Sequence, residues 1–382
     1  MSRDSPSGIG HVIVRHLYVH VPFCARRCSY CDFSIAVRKR IPADEFVRAI
    51  LAELRQVGPL ESLETVYFGG GTPSLLPPAA IAALLQYVFP HTPSPDAAEV
   101  TLEANPENVT ADAASAWRAA GVNRVSLGSQ SFDDRVLRWM HRTHDAAQIG
   151  RAVAMLREAG IDNISLDLIF ALPESLGRDW DRDLDRAIAL EPSHLSLYGL
   201  TVEPRTPLDR WISRGAVQAP GDDRYADEYL RAHERLGAAG FEFYEVSNAA
   251  RGERSSRHNS AYWLGRPYRG VGPAAHSFDT RSRSWNHSAW ETYRRAIAAG
   301  EPPVDSREEL SDDQLELERI YLGLRTAAGI PASALTRPLS PSSGFIAQGW
   351  LVEEGGRLRC TPAGWLRLDS LVPALTGNPA SS

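Results

Sequence analysis

The chain reads as an α/β protein built on a parallel sheet, and two observations carry that reading. From His16 to about residue 200, short β-rich runs alternate with amphipathic helical stretches; parallel strands need a long crossover, usually a helix. Each β-rich run also ends at a chemically loaded residue or loop, and parallel α/β architectures bind ligands at the carboxyl ends of their strands. One composite site is therefore expected. Periodicity gives the same string for a barrel and for an open doubly wound sheet, so that choice stays open at this point.

The strand runs are HLYVHVP from His16, TVYFGG from Thr65, EVTLEAN from Glu99, RVSLGSQ from Arg124, NISLDLIF from Asn163 and HLSLYGL from His194. Helical stretches between them include DEFVRAILAELRQV from Asp44, AAIAALLQYVF from Ala79 and AAQIGRAVAMLREAG from Ala146. After about residue 210 the alternation stops. A helix, DDRYADEYLRAHERLGAAG from Asp222, leads to a strand FEFYEVSN, a Gly/Arg/Ser-rich loop and the run HNSAYWLGRPYRGVGPAAHSF from His258. A further helix, SDDQLELERIYLGLR from Ser311, precedes two short strands joined by the turn EEGGR as a hairpin. Helices followed by a glycine hairpin resemble a winged helix; with little basic excess there, a packing or substrate-lid role is favoured over nucleic acid. The organisation expected is a tail at 1–15, a strand–helix region at 16–210, an extension at 211–300, a winged-helix-like α+β region at 301–375 and a frayed tail at 376–382.

The 382 residues exceed what a single core usually supports, so one large domain with smaller additions is expected. Hydrophobic content of 43% and charged content of 23% are those of an ordinary globular chain. A net charge of −6 without a long like-charge block gives no nucleic-acid footprint. No apolar run is long enough to span a bilayer, and the start MSRDSPSGIGHVIVRH lacks a signal-peptide core. A cytoplasmic, reducing location follows as the expectation.

Three of the 4 cysteines, Cys24, Cys28 and Cys31, form the pattern CxxxCxxC directly after the first strand. Four thiolates saturate a cubane iron–sulfur cluster. Three leave one iron open, as a site does when it must bind a small molecule as well as a metal. A structural zinc site would want a fourth nearby ligand; His20 is the candidate, but strand alternation points it away from neighbours such as Val19 and Val21. Disulfide stapling needs more cysteines than this, and the distant Cys360 reads as an ordinary small core or surface residue.

Gly69-Gly70-Gly71-Thr72-Pro73 follows the second strand, where glycines let backbone groups approach a ligand. Glu103, Gln130, Arg142, Asp167 and Thr201 sit at or after the later strands. Singly each has a bland explanation in caps and surface polarity. Together with the cysteines they match a family pattern: the chain resembles the radical S-adenosylmethionine (radical SAM) superfamily, in its coproporphyrinogen-oxidase-like branch, through CxxxCxxC, GGGTP, LEANP, SLGSQSFD, the following HR and DLIFALP.

The resemblance implies a partial (β/α)6 barrel with a smaller C-terminal α+β region. It also implies a [4Fe–4S] cluster on Cys24, Cys28 and Cys31, with S-adenosylmethionine chelated at the open iron and cleaved to a 5′-deoxyadenosyl radical. By position, Gly70, Gly71 and Thr72 match the loop that binds the methionine amino group. Glu103 and Arg142 flank the methionine carboxylate and ribose, Gln130 and Asp167 bind the ribose hydroxyls, and Thr201 is a further contact. Tyr18 and Tyr30 match aromatics that pack on adenine and cluster.

Two relatives within the branch compete: the oxygen-independent coproporphyrinogen III dehydrogenase and the HemW-type haem chaperone. The dehydrogenase carries a further cysteine two residues after the third and a longer N-terminal extension; here Cys31-Asp32-Phe33 follows the chaperone pattern. His258-Asn259-Ser260-Ala261-Tyr262-Trp263 fits the HNxxYW element associated with haem in that branch, with His258, Asn259, Tyr262 and Trp263 as the implied haem contacts. An imidazole is a ready axial ligand and the aromatics offer flat faces, although His276 or His287 would serve the iron as well. Arg254, Arg257 and Arg266 stand near for propionates, or simply form a solvated basic loop. Haem-accepting proteins and an electron donor are the implied partners, without nucleic acid; a homodimer and transient membrane association through acceptors fit the resemblance. A radical SAM enzyme for another substrate and a simple electron carrier are the remaining readings.

Overall fold

The computed structural model describes residues 13–58, 60, 62–89, 97–335 and 340–377. Of the tails expected at 1–15 and 376–382, residues 1–12 and 378–382 lie outside the described residues.

Six parallel strands carry the fold: β1 (His16–Val21), β2 (Thr65–Gly70), β3 (Glu99–Ala104), β4 (Arg124–Gln130), β5 (Asn163–Phe170) and β6 (His194–Gly199). The crossovers between them run through α1 (Ala43–Val57), α2 (Pro78–Val88), α3 (Ala111–Ala120), α4 (Asp134–Trp139) with α5 (Ala146–Glu158), and α6 (Trp180–Ala189). Thr110, Asp145 and Asp179 each accept a hydrogen bond from a first-turn amide, which fixes where three of these helices begin.

Strand order settles what periodicity left open. The strands lie side by side in chain order, with no point where the order reverses. Right-handed crossovers then place every helix on the same face, which is the winding of a barrel and not of a doubly wound sheet. The outward side chains Val66, Phe68, Leu102, Val125, Leu127, Leu166 and Leu195 form the core against those helices. The opposite face is polar: Thr65, Tyr67, Glu99, Glu103, Arg124, Ser126, Ser165, Asp167 and His194 alternate with the core residues along the same strands.

Beyond residue 210 the strand–helix repeat does end, yet the same sheet continues. After α7 (Pro207–Ser213) and α8 (Asp222–Ala238) come β7 (Glu242–Glu245) and β8 (Asn248–Ala250), which add antiparallel beyond β6. The HNSAYW run, expected as loop, is a short helix, α9 (Arg257–Trp263), capped by the Ser256 hydroxyl. A strand missed from sequence, β9 (Arg269–Val271), then pairs in parallel with β1, giving the order β9-β1-β2-β3-β4-β5-β6-β8-β7. Three residues of mixed polarity are too few to show a period.

A separate antiparallel sheet follows, made of β10 (His276–Phe278), β11 (Ser282–Asn286) and, after α10 (Trp290–Ala298), β12 (Val304–Glu309). The C-terminal region opens with α11 (Asp312–Arg325), started by a Ser311–Gln314 capping box. Its small sheet orders β13 (Ile330–Pro331), β15 (Arg357–Cys360) and β14 (Leu351–Glu354). Glu354 pairs with Arg357 across Gly355 and Gly356, both at positive φ (57° and 71°), the two-residue hairpin turn that only glycine-like residues adopt freely. Helices with this glycine-turned wing are the α+β region expected.

Buried Glu53 ties α1 to the segments after β9. Its carboxylate accepts from the Gly272 amide (2.8 Å), Asn286 Nδ2 (2.6 Å) and the Tyr293 hydroxyl (2.6 Å). Glu53→Ala strands three buried donors, and we expect it to lower the unfolding free energy by about 3 kcal/mol, measured by urea denaturation.

Candidate functional site

The cysteine segment is held by backbone bonds. Phe23–Cys24 pairs in parallel with Ala36–Val37, and the loop between them is pinned where the Ser29 amide donates to Met140 O (3.1 Å) and Ser29 O accepts from the Leu208 amide (2.9 Å). Cys24, Cys28 and Cys31 thereby line one cavity of about 470 Å3 at the carboxyl ends of the strands. The Thr72 hydroxyl donates to Cys24 Sγ (3.4 Å) and Arg142 Nη1 to Cys28 Sγ (3.6 Å). Burial pushes the Cys24 thiol up and the Cys31 thiol up to about 11, so both need a cation to ionise at neutral pH. Cys360 lies apart, buried in the core.

The glycine loop sits against the cysteines. Gly70 adopts φ 112°, and a Cβ there would lie 2.7 Å from His20 Cε1; at Gly71 it would lie 2.7 Å from Phe23 O and 3.0 Å from Cys24 Sγ. These two positions exclude any larger residue. The Gly70 amide donates to Glu103 Oε2 (3.0 Å) and the Tyr67 hydroxyl to Oε1 (2.9 Å). Burial raises the Glu103 carboxyl to about 7, with the neighbouring Asp167 pushing the same way. Asp167, also raised by burial, accepts from the Ser126 hydroxyl at 2.9 and 3.0 Å and from Ser165 at 3.2 Å.

Gln130, Arg142, Tyr30 and Thr201 line the same cavity, so the structure brings together every expected cluster and cofactor residue except Tyr18. Gln130 sits at φ 63°, the kink that ends β4. Sequence reasoning missed Asn105 and Glu107. Arg142 Nη2 donates to Asn105 Oδ1 (2.6 Å) and Gly128 O (2.8 Å), while Glu107 accepts from the Thr143 hydroxyl and faces His144 Nδ1 at 3.3 Å. Burial alone would raise Glu107, but His144 and Thr143 bring it down to about 2. Both residues follow Glu103 in the run LEANPEN, and a pairing with the distant HRTH run was the only available signal.

Two expected residues lie outside this cavity. Tyr18 is not among its lining residues: its hydroxyl lies 3.3 Å from His20 Nδ1 and its ring stacks on Tyr67 at 5.9 Å, on the polar face of the sheet. His258 does not face open space. It is 1% exposed, with Nδ1 2.6 Å from the Thr65 hydroxyl and Nε2 2.7 Å from the Tyr262 hydroxyl. Both ring nitrogens are occupied, neither His258 nor Asn259 lines this cavity or the one bordered by Tyr262, and the His258 ring stacks on Tyr67 of the sheet at 5.0 Å. Tyr262 and Trp263 do line a second cavity, of about 990 Å3. Arg254 and Arg257 are exposed, and Arg266 is at that cavity. His287 is paired with Asp305 at 2.7 Å.

The first cavity fits the groups that the resemblance implies. Arg142 Nε is buried without an acceptor, as suits a donor awaiting an anionic group. The glycines leave backbone exposed where a Cβ would intrude, and the three thiols line the same cavity.

Comparison with known proteins agrees. A model described as "Radical SAM superfamily" matches residues 18–187, and one described as "HemN C-terminal domain" matches residues 310–367. The chain is 39% identical over 371 residues to heme chaperone HemW of Mycobacterium tuberculosis, covering 94% of each. It is 33% identical over 323 residues to heme chaperone HemW of Bacillus subtilis, covering 83% of this chain and 85% of that one. It is also 35% identical to the mouse mitochondrial radical S-adenosyl methionine domain-containing protein 1, over 94% of this chain and 86% of that one. Among solved structures, coproporphyrinogen III oxidase (HemN) from Escherichia coli superposes with a TM-score of 0.78 at 22% identity, covering 94% of this chain and 89% of that one, a likeness of fold.

The raised carboxyl at Glu103 has a sign. A folded-state pKa of about 7 against 4.5 means that the folded chain holds the proton longer. In the ligand-free protein this residue's contribution makes the unfolding free energy fall as pH rises from 4.5 to about 7. Glu103→Gln should flatten that part of the pH–stability profile, measured by denaturation at a series of pH values.

Proposed function

Because the chain belongs to the HemW family of radical SAM proteins, we propose that it is a haem chaperone, which binds a [4Fe–4S] cluster, S-adenosylmethionine and haem and delivers the haem to acceptor proteins. The observation that carries this reading over the dehydrogenase is local to the cysteine loop. Phe33, 58% exposed at the cavity, stands where the dehydrogenase pattern has its additional cysteine. Near-full-length similarity to proteins named as haem chaperones supports the same choice.

Within that reading the residues divide the work. Cys24, Cys28 and Cys31 supply three thiolates and leave one iron to the cofactor. Thr72 and Arg142 donate to the sulfurs, which stabilises negative charge there. Gly70, Gly71 and Thr72 present backbone to the methionine amino group, with Glu103 beside them as its carboxylate partner. The unpaired Arg142 Nε is available to the methionine carboxylate. Asp167 and Gln130 accept from and donate to the ribose hydroxyls, Tyr30 packs on cluster or adenine, and Thr201 closes the edge. When bound, the cluster and cofactor together supply one-electron cleavage of a carbon–sulfur bond.

No helix among the described residues is long and apolar enough to cross a membrane. We place the protein in the cytoplasm, meeting an electron donor and haem acceptors there, some of them at membranes.

The deciding experiment is anaerobic incubation of cluster-reconstituted protein with coproporphyrinogen III, S-adenosylmethionine and a strong reductant, beside a haem titration. The expected outcome is a Soret shift on haem addition and no decarboxylated tetrapyrrole. Multiple-turnover product would instead make the chain a dehydrogenase. Cys31→Ser should abolish the iron–sulfur absorbance of the reconstituted protein. Arg142→Ala should weaken S-adenosylmethionine binding by about tenfold, read by equilibrium dialysis.

A further inference from the structure

The second cavity shares no lining residue with the first, yet the two meet wall to wall at His20. The His20 ring borders the second cavity, and Gly70, which borders the first, approaches it so closely that a Cβ would lie 2.7 Å from Cε1. The second cavity measures about 990 Å3, at the top of the range of about 300–1,000 Å3 that small-molecule sites occupy. Its walls are the polar face of β1, the end of α9, the sheet of β10 and β11, and α11.

Two features of this space select a flat, metal-bearing, anionic occupant. The first is a pair of histidines on its wall, His20 buried and His276 exposed. His20 is 8% exposed; Nδ1 lies 3.3 Å from the Tyr18 hydroxyl, Nε2 is buried without a hydrogen bond, and the Ser34 backbone lies close to the ring. With Nδ1–H donating to Tyr18, Nε2 is the nitrogen left to a metal once the ring turns off the Ser34 backbone. Burial keeps the ring neutral, lowering it to about 4; the Ser34 backbone pulls the other way, and the charge of nearby His276 adds to the lowering. His276 stacks on Trp285 at 5.7 Å and 25°, and among the described residues no group bonds its ring nitrogens. His258, by contrast, has both nitrogens filled.

The second feature is the wall chemistry. Trp263, Tyr268 and Trp285 give broad aromatic faces, and at the rim Arg266 is half-exposed, held only loosely at 3.7 Å from Glu64. A porphyrin plane matches the former, and propionates match the latter.

Resting on the haem-chaperone reading above, we propose that the haem cargo sits in this second cavity, ligated by His20 and His276 and not by His258. The radical SAM cavity and the cargo then lie on two sides of one histidine, and loading either one acts on the wall of the other.

The test is haem titration of the full-length protein and of His20→Ala, His276→Ala and the double variant, with ligation read from the Soret and visible bands. The expected result is a low-spin ferric spectrum for the wild type. Each single variant should turn high-spin with affinity lower by about tenfold, and the double variant should lose the site. Leu322→Trp, which fills the cavity from α11 without touching either histidine, should also abolish binding while an unchanged thermal melt reports intact folding. If the wild type binds haem and all four variants bind it with the same spectrum and affinity, the site is elsewhere and the chaperone reading survives. If the wild type binds no haem, the chaperone reading fails and this inference fails with it.

Discussion

One face of the parallel sheet is polar, and that constraint governs the rest of the molecule. Parallel sheets are usually apolar on both faces; here Thr65, Glu99, Arg124, Ser165 and His194 are buried on the side away from the helices. Buried polar groups must find partners or cost several kcal/mol each. At the amino ends of the strands the chain supplies the partners itself. Glu99 accepts the first amides of α9, from Arg257 and His258 at 2.9 Å each, and Thr65 bonds both His16 and His258. The HNSAYW helix is therefore a plug for the barrel floor, which is why its histidine has no nitrogen to spare.

At the carboxyl ends no plug exists. Glu103, Asp167 and Arg142 keep their places through short bonds to Tyr67, Gly70, Ser126 and Asn105, while the Arg142 Nε goes unpaired. An open mouth of this kind suits a ligand site, where the remaining polar groups are left to whatever binds. Burial raises Glu103 and Asp167, whereas the Thr143 and His144 contacts lower Glu107, so acidic groups a few residues apart hold their protons very differently. An incoming cationic sulfonium or amine meets carboxylates whose ionisation it would itself favour.

His20 and Gly70 join the two cavities at the narrowest point between them. A glycine at φ 112° is required there by the imidazole, and the imidazole is held by Tyr18. The packing that shapes the cysteine-side loop is thus the packing that buries the His20 ring between the two cavities.

How much of this the sequence determined follows from the range of the interactions. Strands, helices and the glycine hairpin were legible because local alternation, capping residues and turn chemistry act over a few neighbours. The β1–β6 boundaries differ from the runs read in the sequence by at most a residue. The cysteine, glycine and carboxylate positions were legible because each follows its own strand, and a parallel sheet gathers strand ends at one rim. Tyr18, His258, Asn105 and the β9 strand were not legible, because their roles depend on contacts between segments far apart in the chain. Thr65 meets His258 across a separation of 193 residues, and Arg142 meets Asn105 across 37. The motif named the histidine; only the closed barrel floor decided which way its ring would turn, since that is where the buried hydroxyls of Thr65 and Tyr262 stood in need of partners.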